Sequence, residues 1–172
     1  MVVRAHPEPH VEVHKFHTGA VAGVAFAALV LQAFLPIYFS RASLLELPLL
    51  VTLYFGLSRR NPSTGLVLGM VIGALQDAVS RLPLGLYGIA KTVVGYAASS
   101  IGARLDVEHP LSRFTLAFLF FHLHQGVFAV TKRLLLAEPE TFLSLPLLLA
   151  SLVNAALAVA LFPLLDRLRK PT

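Results

Sequence analysis

The chain has 172 residues, 56% of them hydrophobic and 13% charged, with 14 Lys and Arg against 9 Asp and Glu and a formal charge of +5. Soluble domains carry about a quarter charged residues, so this composition cannot coat a water-soluble globule and excludes a soluble enzyme or a nucleic-acid module. The absence of cysteine removes disulfides, thiolate catalysis, Fe–S clusters and Cys-based zinc sites together.

Residues 1–17 form a histidine-bearing tail. His6, His10, His14 and His17 would share a face and bind metal on a continuous helix, but Pro7 and Pro9 interrupt it, and the segment reads as a solvated tail on the membrane surface. A spanning helix needs about 20 mostly apolar residues, and six runs qualify, at about 18–39, 41–58, 64–80, 83–103, 112–134 and 142–165. The first run is longer than a signal-peptide core and no small-x-small cleavage site follows it, so it is expected to be retained. The second run is the least clear, since Leu44–Leu57 is short and contains Glu46 and Pro48. Charged, proline-bearing breaks at Ser58–Pro62, Arg81–Pro83, Asp106–Pro110 and Glu138–Glu140 separate the later runs.

Basic residues choose between five spans and six. With six spans and a cytoplasmic N-terminus, Arg4, Lys15, Arg59, Arg60, Arg104, Arg113, Arg167, Arg169 and Lys170 lie inside. Only Arg41, Arg81, Lys132 and Arg133 lie outside, the last two facing Glu138 and Glu140. A re-entrant second segment reverses this bias and violates the positive-inside rule. The expected fold is an all-α polytopic membrane bundle of six transmembrane helices in one domain, with both termini cytoplasmic. The runs are continuously apolar and too long for the alternating strands of a membrane barrel. The basic balance therefore reports topology rather than a nucleic-acid partner, and the lipid bilayer is the chain's immediate environment.

Gly65, Gly69, Gly73 and Asp77 recur every four residues on one face of the third span. Gly88, Lys91, Gly95 and Ser99, three or four residues apart, share a face of the fourth, with Gly85 and Gly102 beyond. In lipid, packing of small residues drives helices together, so these faces predict a tight antiparallel hairpin. Asp77 and Lys91 are intramembrane charges, each costly without a partner, and the hairpin brings them within reach of one another. Their pairing reads either as an architectural ion pair that fixes register or as a partner-binding or ion-conducting site. On the fifth span Thr115, His122, Gln125 and Lys132 form a polar stripe. It is expected to face the bundle, for hydrogen bonding between helices or for a substrate or lipid headgroup. Gln32, Thr52, Ser151 and Asn154 read as interhelical contacts. His122 and His124 point nearly opposite ways and cannot chelate one ion. No G-x-S-x-G, H-E-x-x-H or P-loop pattern occurs, so no catalytic residues, metal site or cofactor are assigned.

The run Gly65-Leu-Val-Leu-Gly69-Met-Val-Ile-Gly73-Ala-Leu-Gln-Asp77, followed by Pro83-Leu-Gly85-Leu-Tyr87-Gly-Ile-Ala-Lys91-Thr-Val-Val-Gly95-Tyr96, resembles the core signature of the MreD family of bacterial rod shape-determining membrane proteins. Leu47-Pro48-Leu-Leu-Val-Thr-Leu-Tyr54 is similar to that family's second helix. One departure is that the acidic Glu46 precedes the proline instead of following it, which leaves the start of the second span open. The resemblance implies a fold similar to the substrate-binding subunits of energy-coupling-factor transporters. It also implies residence in the bacterial cytoplasmic (inner) membrane and a place in the elongation machinery that builds lateral peptidoglycan. The partners it implies are an MreC-like bitopic protein, a SEDS-type glycosyltransferase with its class B transpeptidase, and an MreB-like actin filament. Two functions remain open on these residues. One is a non-catalytic scaffold that docks the bitopic partner. The other is a transporter-type subunit binding a small molecule in a pocket lined by Lys91, His122 and Gln125.

Overall fold

The computed structural model describes residues 16–105, 107–138 and 144–169. They form six α-helices: α1 (Thr18–Tyr38), α2 (Leu47–Arg59), α3 (Pro62–Ser80), α4 (Leu86–Gly102), α5 (Pro110–Leu136) and α6 (Leu145–Asp166). A short 3-10 turn, Ser40–Leu44, precedes α2. The described residues contain no strand beyond a single bridge between Phe16 and Arg169, and the chain is an all-α polytopic bundle. Five stretches are long and apolar enough to cross a membrane, Ser40–Arg59 counting as one of them. The remaining helix, α4, has 17 residues and lies against α3 along its length. His6, His10 and His14 lie outside the described residues.

Helix boundaries follow local chemistry. Proline stands in the first turn of α2, α3, α5 and α6, where its missing N–H is no loss. The Asn61 side chain accepts from the Thr64 N–H at 3.1 Å, and Ser144 accepts from Leu147 at 3.3 Å, each satisfying an end-of-helix donor. Arg60, Arg81 and Ala137 take the left-handed conformation that stops α2, α3 and α5.

Helix α2 is the axis of the bundle. Every residue from Pro48 to Ser58 is buried; 61% of its spanning window is buried, against 17% for α1. Its polar residues are thereby kept from lipid, which is why the least apolar of the runs can still sit at membrane depth. The α3–α4 hairpin packs on α2, α5 packs on α4 and α6, and α1 lies against α2 and α3. Large apolar side chains such as Phe26, Phe34, Ile37, Leu119 and Leu134 point outward, as a bilayer solvent requires.

The second span differs from the expected 41–58. Instead of one helix from residue 41, the backbone runs as the 3-10 turn and breaks at Leu45–Glu46 before α2 begins. Pro48 has no N–H to bond the Leu44 carbonyl and its ring clashes there, so a helix cannot run on from the 3-10 turn, and the Glu46 backbone is non-helical, at φ −125° and ψ 66°. An irregular break is tolerated in a membrane only where its polar groups are bonded, and two amides meet that need. Gln32 of α1 donates to the Leu45 carbonyl at 2.8 Å and accepts from the Leu47 N–H at 3.0 Å. Asn154 of α6 donates to the Leu44 carbonyl at 2.7 Å and accepts from the Glu46 N–H at 2.8 Å. The fourth span is shorter than the expected 83–103, because residues 83–85 belong to the turn.

Candidate functional site

The α3–α4 pair is built by the glycines. A Cβ at Gly65 would run into Ser99 and the Gly95 carbonyl, one at Gly69 into the Lys91 carbonyl, one at Gly73 into the Tyr87 carbonyl, and one at Gly95 into the Gly65 carbonyl. Gly102, beyond the expected packing set, meets Leu57 of α2 in the same way. Two of the expected packing glycines act otherwise. Gly88 has room for a methyl group, 3.5 Å from the nearest Asp77 oxygen, and Gly85 has open space but φ +113°, a conformation that favours glycine.

Asp77 and Lys91 are both fully buried, but they do not form the expected ion pair with each other. The Asp77 carboxylate accepts from the backbone N–H groups of Gly85 (2.9 Å), Tyr87 (2.8 Å) and Gly88 (3.0 Å). It thus caps α4 from the neighbouring helix, since Gly85 at the cap position has no side chain to do so. A carboxylate at a helix N-terminus is favoured by the exposed amides and the helix dipole. Asp77→Ala is expected to cost about 2–3 kcal/mol and Asp77→Asn less, as charged-group hydrogen bonds are lost and buried N–H groups are left unpaired. Thermal unfolding in a neutral detergent checks this, and equal stability of all three chains would refute the capping role.

Lys91 turns instead to Glu46, with Nζ 3.6 Å from Oε2, and to His124 of α5, with Nζ 3.1 Å from Nε2. It also lies over the Tyr87 ring, 4.5 Å from its centre, and Tyr87 stacks on His124 with the ring planes 7° apart. Gln76 of α3 donates to the same Glu46 oxygen at 3.4 Å. An ammonium only donates, so Nε2 of His124 accepts and the ring proton sits on Nδ1. That atom and Oε1 of Gln76 are buried without a hydrogen-bond partner.

Glu46 is therefore a junction of six helices. Its side chain meets α3 through Gln76 and α4 through Lys91, which in turn touches α5 through His124. Its own backbone leads into α2 and is held by Asn154 of α6, and Gln32 of α1 bonds both of its neighbours. Sequence reasoning places Glu46 at a helix end and gives His124 no role beyond excluding it as a chelating partner of His122. The signal present is that Lys91 needs a carboxylate and Glu46 is the other acidic residue inside an apolar run.

The expected polar stripe of α5 does not face the bundle. Thr115 is exposed, and His122, Gln125 and Lys132 are half-buried, whereas the buried face carries Arg113, Ala117, Phe120, Phe121, His124 and Thr131. His122 contacts its own helix at the Phe118 carbonyl, 3.1 Å away, and Lys132 pairs with Glu138 at 3.3 Å. A shallow groove lined by His122, Leu123, Gly126, Val127, Val130 and Thr131 does not include Lys91, which is fully buried against Glu46 and His124 instead of joining His122 and Gln125 in the expected pocket. Thr52 and Ser151 likewise bond within their own helices, to the Pro48 and Leu148 carbonyls.

Glycine-built hairpin, capping aspartate and central lysine all lie within the region matched by the model of the family described as rod shape-determining protein MreD, which covers residues 15–170. The chain belongs to the MreD family. No curated protein and no solved structure matches it. Membership makes this chain a multi-pass inner-membrane protein of the rod shape-determining system.

A second polar cluster closes the opposite end of this MreD-family bundle. Asp166 at the end of α6 accepts from Arg113 Nη2 at 2.6 Å and from the Tyr54 hydroxyl at 2.9 Å, and pairs with Arg169 at 2.7 Å. Arg113 also donates to the Val107 carbonyl at 3.1 Å, and Arg169 reaches Glu108 at 2.8 Å. Burial alone would lower the Arg169 guanidinium, but hydrogen bonds with Glu108 and Tyr54 and the Asp166 charge outweigh it and raise it above its ordinary value. These residues tie α2, α5 and α6 together where the Phe16–Arg169 bridge joins both ends of the described chain.

Proposed function

We propose that this chain is a non-catalytic membrane scaffold of the elongation machinery that docks the single transmembrane helix of an MreC-like bitopic partner, and through it supports lateral peptidoglycan synthesis. The observation that carries the reading is the Glu46 junction. The intramembrane charges are consumed in joining six helices, with Lys91 and His124 both fully buried, an arrangement suited to a rigid platform and not to turnover of a substrate.

The docking face we assign is the lipid side of the hairpin. The antiparallel register sets Gly65 against Gly95 and Gly69 against Lys91. On one flank it brings Leu66 and Met70 of α3 to the same depth as Ile89, Val93 and Tyr96 of α4, all five at least 37% exposed. A partner helix can be held there by side-chain packing, the force that joins helices in lipid. The SEDS-type glycosyltransferase, its class B transpeptidase and the MreB-like filament are reached through that partner. Both termini are assigned to the cytoplasm on the distribution of Lys and Arg.

Co-purification in mild detergent with an MreC-like protein tests the reading. The unaltered chain is expected to retain the partner, and Met70→Trp with Val93→Trp to lose most of it while keeping the melting temperature. Full retention by that stable double variant would move the docking site elsewhere; failure of the unaltered chain to hold the partner would remove the scaffold reading itself.

A further inference from the structure

A groove of about 430 Å³ opens on the flank of α3 away from the proposed docking face, lined by Arg59, Ser63, Thr64, Val67, Leu68 and Val71. Its chemistry is graded along the helix axis. A guanidinium and two hydroxyls stand at the end where α2 turns into α3. Leu68 and the exposed Val67 and Val71 continue toward the middle of the bilayer, each α3 residue rising about 1.5 Å. No carboxylate lines the groove. Among the described residues no ion pair or side-chain hydrogen bond engages Arg59, and Arg60 follows it in sequence.

We propose that this groove binds one anionic phospholipid, its phosphate on Arg59 and the Ser63 and Thr64 hydroxyls and an acyl chain along Val67, Leu68 and Val71. Charge selects the occupant. A cation at the membrane interface attracts anionic headgroups at about 1 kcal/mol each, whereas a partner helix would need apolar contact along the whole groove and meets a charge at one end. Hydroxyls beside the guanidinium supply donors to phosphate oxygens, and a water-soluble anion would leave the apolar part of the groove unused. The site is independent of the partner reading: it lies on another flank of α3 and takes a lipid, not a protein.

The test compares melting temperatures of the full chain in a neutral detergent with added phosphatidylglycerol or phosphatidylcholine of the same acyl chains. Phosphatidylglycerol is expected to raise the midpoint by about 5 °C at saturation and phosphatidylcholine by little. Arg59→Gln is expected to weaken the phosphatidylglycerol response about five-fold in concentration. Val67→Trp, which fills the groove and leaves every charge in place, is expected to abolish it. Because each variant is read as the difference between two lipids, a change in its own stability cancels. Equal shifts with both lipids, a full response in Val67→Trp, or the same shift from deacylated glycerophosphoglycerol would each overturn the proposal.

Discussion

Gly69→Ala is expected to destabilise the bundle by about 3 kcal/mol, and Gly69→Leu to leave no folded chain to purify. The added Cβ falls on the carbonyl of Lys91 and next to its carbonyl carbon at 2.6 Å. Those are backbone atoms of the facing helix, so no side chain can swing aside. Relief requires α3 and α4 to separate, which lengthens the contacts of the hairpin and pulls Asp77 from the N–H groups it caps at the start of α4. Overpacking a core costs about 1–3 kcal/mol and occasionally more, and a clash of backbone with backbone belongs at the upper end. Gly23 of α1 is the control, since nothing lies within 4 Å of its Cβ position. Gly23→Ala is expected to gain up to about 1 kcal/mol from helix propensity. Melting temperatures of the three chains in one detergent decide it; a Gly69→Ala chain as stable as Gly23→Ala would show that the glycine face is not in contact.

Lys91→Met should cost about 3–5 kcal/mol, most of which Glu46→Gln restores in the double variant. Removing one member of a buried pair leaves the other charge desolvated and alone, which costs far more than the pair contributes against neutral residues of similar size. Glu46 sits 9% exposed at the break between the 3-10 turn and α2. Without the ammonium its carboxylate keeps only Gln76 at 3.4 Å among the side-chain partners described. The double variant carries neither charge, while Asn154 and Gln32 still clamp the break. A double-mutant cycle by thermal or denaturant unfolding measures the coupling. Additive losses would mean that Lys91 and Glu46 do not act as a pair.

Much of the fold was legible in the residue order, for a local reason. A membrane imposes its length and its apolarity on each helix separately, so six runs and their breaks at Ser58–Pro62 and Asp106–Pro110 can be read without knowing what touches what. The four-residue spacing of Gly65, Gly69 and Gly73 is local in the same sense: one helical face, with small residues where another backbone comes close.

Pairing was not legible, because it depends on positions that distant segments reach only after folding. Asp77 and Lys91 are neighbours across one turn, and that proximity suggested an ion pair. The break ahead of α2 delivers Glu46 to Lys91 instead, and the bare N-terminus of α4 takes Asp77. On α5 the apolar residues run around the whole circumference, so periodicity could not choose a buried face. The polar stripe was expected inward, but the packing of α4 and α6 selected the face with His124. Sequence determined which residues must be inside the bilayer and which must be small, since both are properties of one helix in lipid. The tertiary structure alone decided which buried charge meets which, because a charge in a low-dielectric interior takes whichever partner the assembled helices bring within a few ångströms.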